Sequence, residues 1–279
     1  VCWQKGLEFD LSFFNQAQGF LDGWTLQSFV TELQKEMIRS FPDRPIRTDL
    51  ALMSSAEGMF QRGQTPAQGI PERIDWVIEH FSPGGNLERN LGSYESRPGQ
   101  LRMAKLVAEG LSSSRHVVVE AGTGTGKSFA YLIPSLWFAK LTGQTVVIAT
   151  HTIPLQEQLL KNDIPVLQSV LPFSFRAAVL KGRNNYCCLK KWQSCIVNKE
   201  ISPGERLAAL SILVWLRETV SGDIQELSKV PGLTDLWARI SADNDTCIPG
   251  KCSKAGVCFL LRARKRAEES DILIVNHSL

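Results

Sequence analysis

The sequence predicts an α/β protein: a parallel sheet flanked by helices, interrupted by a cysteine-rich subdomain and preceded by a mostly helical N-terminal extension. Three observations predict it. Short β-branched runs alternate with helical patterns from about residue 95 onward. One run passes straight into a glycine-rich loop and then a helix. Between the third and fourth runs lie roughly ninety residues without that rhythm, too many for a plain loop, and they hold most of the cysteines.

In order along the chain, Trp24 to Ile38 has helical spacing, with Leu26, Phe29, Val30, Leu33 and Ile38 near one face. Arg62 to Pro71 is rich in Gly, Pro, Gln and Thr and reads as a linker. A helix is expected from Pro71 to Phe81, broken by Ser82-Pro83-Gly84-Gly85. Helices follow at Gly99–Leu111, Lys127–Leu141 and Pro154–Leu171. Buried strands are expected at His116–Glu120, Thr145–Ala149, Phe175–Leu180 and Asp271–Val275. The implied domains are 1–70 (an extension or connector), 71–180 (the first part of the sheet domain), 181–265 (the insertion) and 266–279 (the return to the sheet).

The run HVVVE leads into Ala121-Gly122-Thr123-Gly124-Thr125-Gly126-Lys127-Ser128. This is the phosphate loop G-x-x-x-x-G-K-[ST] with Ala121 in place of the first glycine. Glycines let successive N–H groups turn toward phosphate oxygens, and the following helix presents its positive end to the same anion. Lys127 supplies a charge for the outer phosphates, and Ser128 a hydroxyl for Mg²⁺. A bare glycine-rich turn would not need strand and helix flanks, so a nucleoside triphosphate with Mg²⁺ is the expected ligand, and the flanking segments point to ATP.

The flanks narrow the class. Tyr94-Glu95-Ser96-Arg97-Pro98-Gly99-Gln100 resembles the segment ahead of the phosphate loop in superfamily 2 helicases, where a Gln reads adenine. The amide of Gln100 has the donor and acceptor that N7 and N6–H of adenine require, although a Gln can also simply open a helix. Arg97 is placed with it at the nucleotide. Thr150 to Leu159 (THTIPLQEQL) resembles helicase motif Ia, matched at Thr152, Leu155, Gln156 and Gln158. Loops at the carboxyl edge of a parallel sheet bind ligands, so Thr150, Thr152 and Gln156 are candidates for single-stranded DNA; Thr150 or Thr152 also suits a helix N-cap, and both roles are compatible.

Seven cysteines are present, six of them between positions 187 and 258, which favours a metal site over disulfides. Cys247, Cys252 and Cys258 form a C-x4-C-x5-C trio that needs a fourth thiolate from Cys187-Cys188. Spacing alone admits zinc or a [4Fe–4S] cluster, and suits paired zinc knuckles less well.

From Tyr94 to Leu279 the chain resembles the DinG family, bacterial relatives of the XPD-type helicases. The resemblance rests on YESRPGQ, EAGTGTGKS, ATHTIPLQEQL, KGRNNYCC, the cysteine trio and DILIVNHSL. It implies a RecA-like motor domain and ATP-driven 5′ to 3′ translocation on single-stranded or forked DNA. It also implies a [4Fe–4S] cluster on Cys188, Cys247, Cys252 and Cys258, with Cys187 in the place of an apolar residue. Cys2 and Cys195 match no family ligand. Arg183, Arg262 and Arg264 are candidates to line the DNA path beside the cluster, or else form a solvated basic face. The family's DEAH box does not occur in these 279 residues, so the chain is expected to be an internal fragment that binds nucleotide without turning it over. Residues 1–60 are expected to be the tail or connector of an upstream domain, such as the exonuclease of some relatives; the pair Glu8 and Asp10 is too little to name a nuclease site.

Composition bounds the rest. Net charge is only +3, and 43% of residues are hydrophobic, which supports a buried core. No apolar run reaches membrane-spanning length and no secretion signal opens the chain, so a cytoplasmic protein is expected. A monomer is expected as well. No NKxD motif or transporter signature argues for another kind of P-loop protein. A zinc-bearing nucleic-acid module is the alternative that metal analysis separates.

Overall fold

The computed structural model describes residues 70–92, 94–198, 200–227, 230–247 and 252–277, together with Ala17. The helix expected at Trp24–Ile38 lies outside the described residues, as does most of the extension. The chain divides into two compact units, one containing Gly182–Arg262 and the other Arg62–Lys181 with Ala263–Leu279.

In the sheet-bearing unit, α1 (Ile74–Phe81) and α2 (Asn86–Asn90) precede α3 (Pro98–Ser112) and α4 (Lys127–Thr142). Pro98 opens α3, where its missing N–H costs nothing. Strand β1 (Val146–Thr150) leads to α5 (Ile153–Gln158), a five-residue π-turn (Leu159–Asp163) and α6 (Ile164–Val170). The three pieces occupy the segment expected as one helix. Pro165, which has no N–H and crowds the carbonyl four residues back, is the second residue after the widened turn. Strands β2 (Ala177–Leu180) and β3 (Ile272–Asn276) complete a parallel sheet in the order β1-β3-β2. Val146 and Ala177 both pair with Ile272, so the strand last in sequence is central. Asp271 anchors its start: the carboxylate pairs with Lys140 at 2.9 Å and accepts the Arg176 amide at 2.7 Å. The core packs Val77, Phe81, Leu132, Leu136, Trp137, Leu159 and Leu167 around Ile272 and Ile274.

One expected strand is corrected. His116–Glu120 pairs with no strand among the described residues, and Val118 is 98% exposed. A strand exists only through a neighbour that takes up its N–H and C=O groups, so a β-branched run is not sufficient. Val117 and Val119 instead border an apolar groove with Met103 and Val107 of α3.

In the cysteine-bearing unit, α7 (Leu189–Val197), α8 (Arg206–Trp215) and α9 (Leu233–Ile240) surround Trp192, Trp215 and Trp237, and Phe259 begins α10 (Phe259–Glu268). The Trp215 ring meets those of Trp237 and Phe259 at 6.0 and 6.4 Å. Gly222 has φ +69°, and a Cβ there would meet Phe259 Cγ at 2.1 Å, so only glycine fits.

Candidate nucleotide and metal sites

The phosphate loop spans 121–126 and ends at the first residue of α4. Gly124 and Gly126 have φ near +78° and +76°, whereas Ala121 does not have a positive φ. The departure at Ala121 therefore falls where ordinary backbone suffices. Gly122, Thr123 and Gly124 are exposed. Lys127 Nζ donates to the carbonyls of Ala121 at 2.9 Å and Gly122 at 2.8 Å, and Thr125 Oγ1 also donates to Gly122 O. The ammonium is thus folded back onto its own loop.

Arg97 donates to Gly124 O, so it touches the loop. Gln100 is placed differently from a free base-reading group. It is 3% exposed; its Nε2 donates to Gly126 O at 2.9 Å and its Oε1 accepts from Tyr94 Oη at 2.9 Å. Both ends of the amide are occupied, and a Cβ on Gly126 would lie 2.3 Å from Gln100 Nε2. Tyr94 was not singled out in the sequence; only its place in YESRPGQ pointed to it.

At the carboxyl edge of the sheet, Thr150 is buried and its Oγ1 donates to Thr152 O or Val275 O, each at 3.3 Å. Thr152 is exposed and caps α5, its Oγ1 accepting from Leu155 N at 3.4 Å. Gln156 is 1% exposed: Nε2 donates to Ile274 O at 3.3 Å, and its buried Oε1 has no partner among the described residues. Of these three candidates, only Thr152 faces solvent. His151 and His277 stand exposed beside it, their rings 5.8 Å apart at the ends of β1 and β3. A histidine directly after each apolar strand was the signal available for them.

In the other unit, the extended segment 186–188 is clamped on both sides. Cys187 N donates to Gly222 O at 2.9 Å, Cys188 N to Ile240 O at 2.8 Å, and Ala242 N to Tyr186 O at 2.9 Å. Side chains alternate along extended backbone, so adjacent cysteines face opposite ways. Cys187 is 2% exposed, and burial drives its thiol far above the ordinary range. Cys188 is half-buried at the N-cap of α7. Burial raises its thiol, hydrogen bonds from the Lys191 and Lys190 backbone oppose this, and the Cys247 and Cys258 thiols add to the rise. Cys247 is set by a turn in which Asp243 Oδ1 accepts Thr246 N at 2.8 Å, while Asp243 Oδ2 pairs with Lys191. The Lys191 ammonium holds the Asp243 carboxyl well below the usual carboxylate range, with Thr246 assisting. Cys258 immediately precedes α10. Cys252 is half-exposed and is not among the groups acting on Cys188. Among the described residues, no three His, Cys, Asp or Glu side chains already stand as a metal site.

Cys195 is buried and donates to Glu200 Oε2 at 3.5 Å. Arg183 is half-exposed in a 3₁₀ turn, Arg262 lies over the Phe259 ring at 5.1 Å, and Arg264 is half-exposed on α10.

A glycine-bent loop joined to a helix whose first residues are Lys127 and Ser128 defines a P-loop nucleotide-binding protein, and residues 97–197 match the DEAD/DEAH box helicase family. Among these helicases the chain is similar to the DinG and YoaA proteins. It is 36% identical over 210 residues to the 3'-5' exonuclease DinG of Bacillus subtilis, covering 75% of this chain and 22% of that protein. It is 35% identical over 204 residues to the ATP-dependent DNA helicase YoaA of Escherichia coli (73% of this chain, 31% of that protein). It is 37% identical over 203 residues to the ATP-dependent helicase DinG of Mycobacterium tuberculosis (66% and 30%). The chain therefore spans less than a third of the length of these curated relatives.

Proposed function

We propose that this chain is the nucleotide-binding portion of an ATP-dependent DNA helicase of the DinG type, which translocates 5′ to 3′ on single-stranded or forked DNA. The observation that carries the reading is the convergence of Arg97, Gln100, Lys127 and Ser128 on one phosphate loop, within a region matching the DEAD/DEAH helicases. Phosphate oxygens displace the Ala121 and Gly122 carbonyls from Lys127 and lie against the amides of residues 122–128. Ser128 supplies the protein oxygen for Mg²⁺, whose chemistry is to neutralise charge on the outer phosphates. Gln100 holds Gly126 in its left-handed turn, and reads adenine by exchanging one of its present partners for the base.

The donor set of the second unit, four thiols with Cys188 outward and Cys187 inward, suits a [4Fe–4S] cluster on Cys188, Cys247, Cys252 and Cys258. Such a cluster would tie the turn at Cys247 and the Cys252–Cys258 segment to the clamped strand at Cys188. Thr152, Arg183, Arg262 and Arg264 are the proposed DNA contacts, while Thr150 and Gln156 hold the motif Ia loop from beneath. No described helix is long and apolar enough to cross a membrane, and a cytoplasmic monomer is proposed.

The test is nucleotide binding by the 279-residue chain. ATP is expected to bind in preference to GTP, and Lys127→Ala to abolish binding. Equal affinity for ATP and GTP refutes the adenine role of Gln100. Colourless protein with one zinc per chain favours the alternative, a P-loop nucleic-acid-binding protein with a structural zinc site and no helicase activity.

A further inference from the structure

The π-turn Leu159–Asp163 packs between α4 and the sheet. Its last residue, Asp163, meets the phosphate-loop helix there. The Ser128 side chain neighbours both the Asp163 carboxyl and the Tyr131 phenol, close enough to act on each. Asp163 Oδ2 is buried and has no hydrogen-bond partner among the described residues. A carboxylate oxygen buried in this way calls for a donor within reach, because burying an acceptor without one is unfavourable.

The reason follows from what a hydroxyl does when it ligates a cation. Its oxygen lone pair turns to the metal, and its O–H must then point to an acceptor on the far side. Tyr131 shares α4 with Ser128 and can both donate and accept, so it does not fix the direction of that proton. A carboxylate accepts only. Asp163 also comes from the helical segment that begins beside Thr152, not from α4. The π-turn sets the face that Asp163 occupies: one residue of register rotates everything after it by about 100°.

Resting on the nucleotide-site reading above, we propose that Asp163 is a positioning residue for Ser128. It accepts the Ser128 O–H and so aims the oxygen lone pair at the Mg²⁺ that accompanies the nucleotide. Through this bond the phosphate-loop helix and the helix starting at Thr152 share one contact at the metal ligand. Outer-shell partners of this kind change metal affinity by about 10- to 100-fold when removed.

The experiment measures binding of a fluorescent ATP analogue to the full 279-residue chain, in Mg²⁺ and in EDTA. The readout is the affinity gained on adding Mg²⁺. Ser128→Ala is expected to lose this gain. Asp163→Ala is expected to lose about tenfold of it while binding in EDTA as the parent does. Asp163→Asn retains an acceptor oxygen and is expected to recover most of the gain. The double variant Asp163→Ala/Ser128→Ala is expected to match Ser128→Ala alone, because the two act through one hydroxyl. If Asp163→Ala does not fold, Asp163→Leu, which fills the space without an acceptor, is held to the same expectation. A full Mg²⁺ gain in Asp163→Ala or Asp163→Leu, beside a lost gain in Ser128→Ala, overturns the positioning role and leaves the nucleotide site standing. Effects that add in the double variant overturn it equally. A parent chain that binds no nucleotide, or a Lys127→Ala variant that binds as well as the parent, overturns the site reading and this proposal with it.

Discussion

Cys187 and Cys188 are neighbours of identical chemistry, yet serine should act oppositely at the two positions. The Cys187 side chain is 2% exposed, in the layer clamped between Gly222 and Ser241. A serine hydroxyl there, without a partner, costs about 1–3 kcal/mol. For a unit of this size, each kcal/mol lowers the melting temperature by about 4–8 °C. Cys188 is half-buried, so its serine remains hydrated and should change the stability of the metal-free chain by less than about 0.5 kcal/mol. Its cost falls on the cluster, which loses one of four thiolates, and with it the coupling of cluster binding to local order. The assay is anaerobic purification, iron and sulfide per chain, and thermal unfolding with and without the cluster. The parent should be brown, with iron and sulfide in comparable amounts. Cys187→Ser should keep the colour and melt lower; Cys188→Ser should be colourless and melt as the metal-free parent does. Colour lost in Cys187→Ser and kept in Cys188→Ser would refute the assignment of inward and outward faces.

Four further outcomes are expected. Lys127→Ala removes the charged contact to the outer phosphates and should weaken ATP binding by at least about tenfold in a binding titration; unchanged affinity would remove Lys127 from the site. Gln100→Ala strips hydrogen bonds from both Tyr94 and Gly126, so it should lower overall nucleotide affinity as well as the ATP-over-GTP ratio; a change in the ratio alone would mean that the loop does not depend on Gln100. Gly222→Ala should destabilise its unit by about 2 kcal/mol or more, since it joins a left-handed strain of about 1–2 kcal/mol to a clash with Phe259, and an unchanged denaturation midpoint would contradict it. Burial lowers the pKa of His80 from 6.5, against the smaller upward pull of Trp76 O and Glu79. The unfolded chain therefore binds a proton near pH 6.5 that the folded chain refuses, and stability should fall as pH drops from about 6.5 through the folded pKa. His80→Phe, which keeps a ring against Trp76, should flatten that part of the pH profile; an identical profile would refute the role of His80.

Much of the site could be read from residue order because its chemistry is local. A phosphate loop needs glycines, a lysine and a hydroxyl at fixed spacing between a β-branched run and a helix, and EAGTGTGKS displays all of them in nine positions. The strands at 146–150, 177–180 and 272–276 were legible for the same reason, as short apolar runs bounded by breaks. Motif spacing also named Thr152 and Gln156 together, but spacing carries no information on burial. Packing against β3 turned Gln156 inward and left Thr152 outside. HVVVE had every local mark of a strand, yet strand formation is a property of a pair, and residue order says nothing about whether the neighbour is in place. Cys187 and Cys188 differ only in which way the clamped backbone turns them, a distinction that Gly222, Ile240 and Ala242 make from positions well separated in the chain. The approach of Asp163 to Ser128 across 35 positions depends on helix packing and on one widened turn. Local composition determined which chemistry this chain holds; tertiary packing decided which side chains can reach it, because burial and pairing are set by residues distant in sequence.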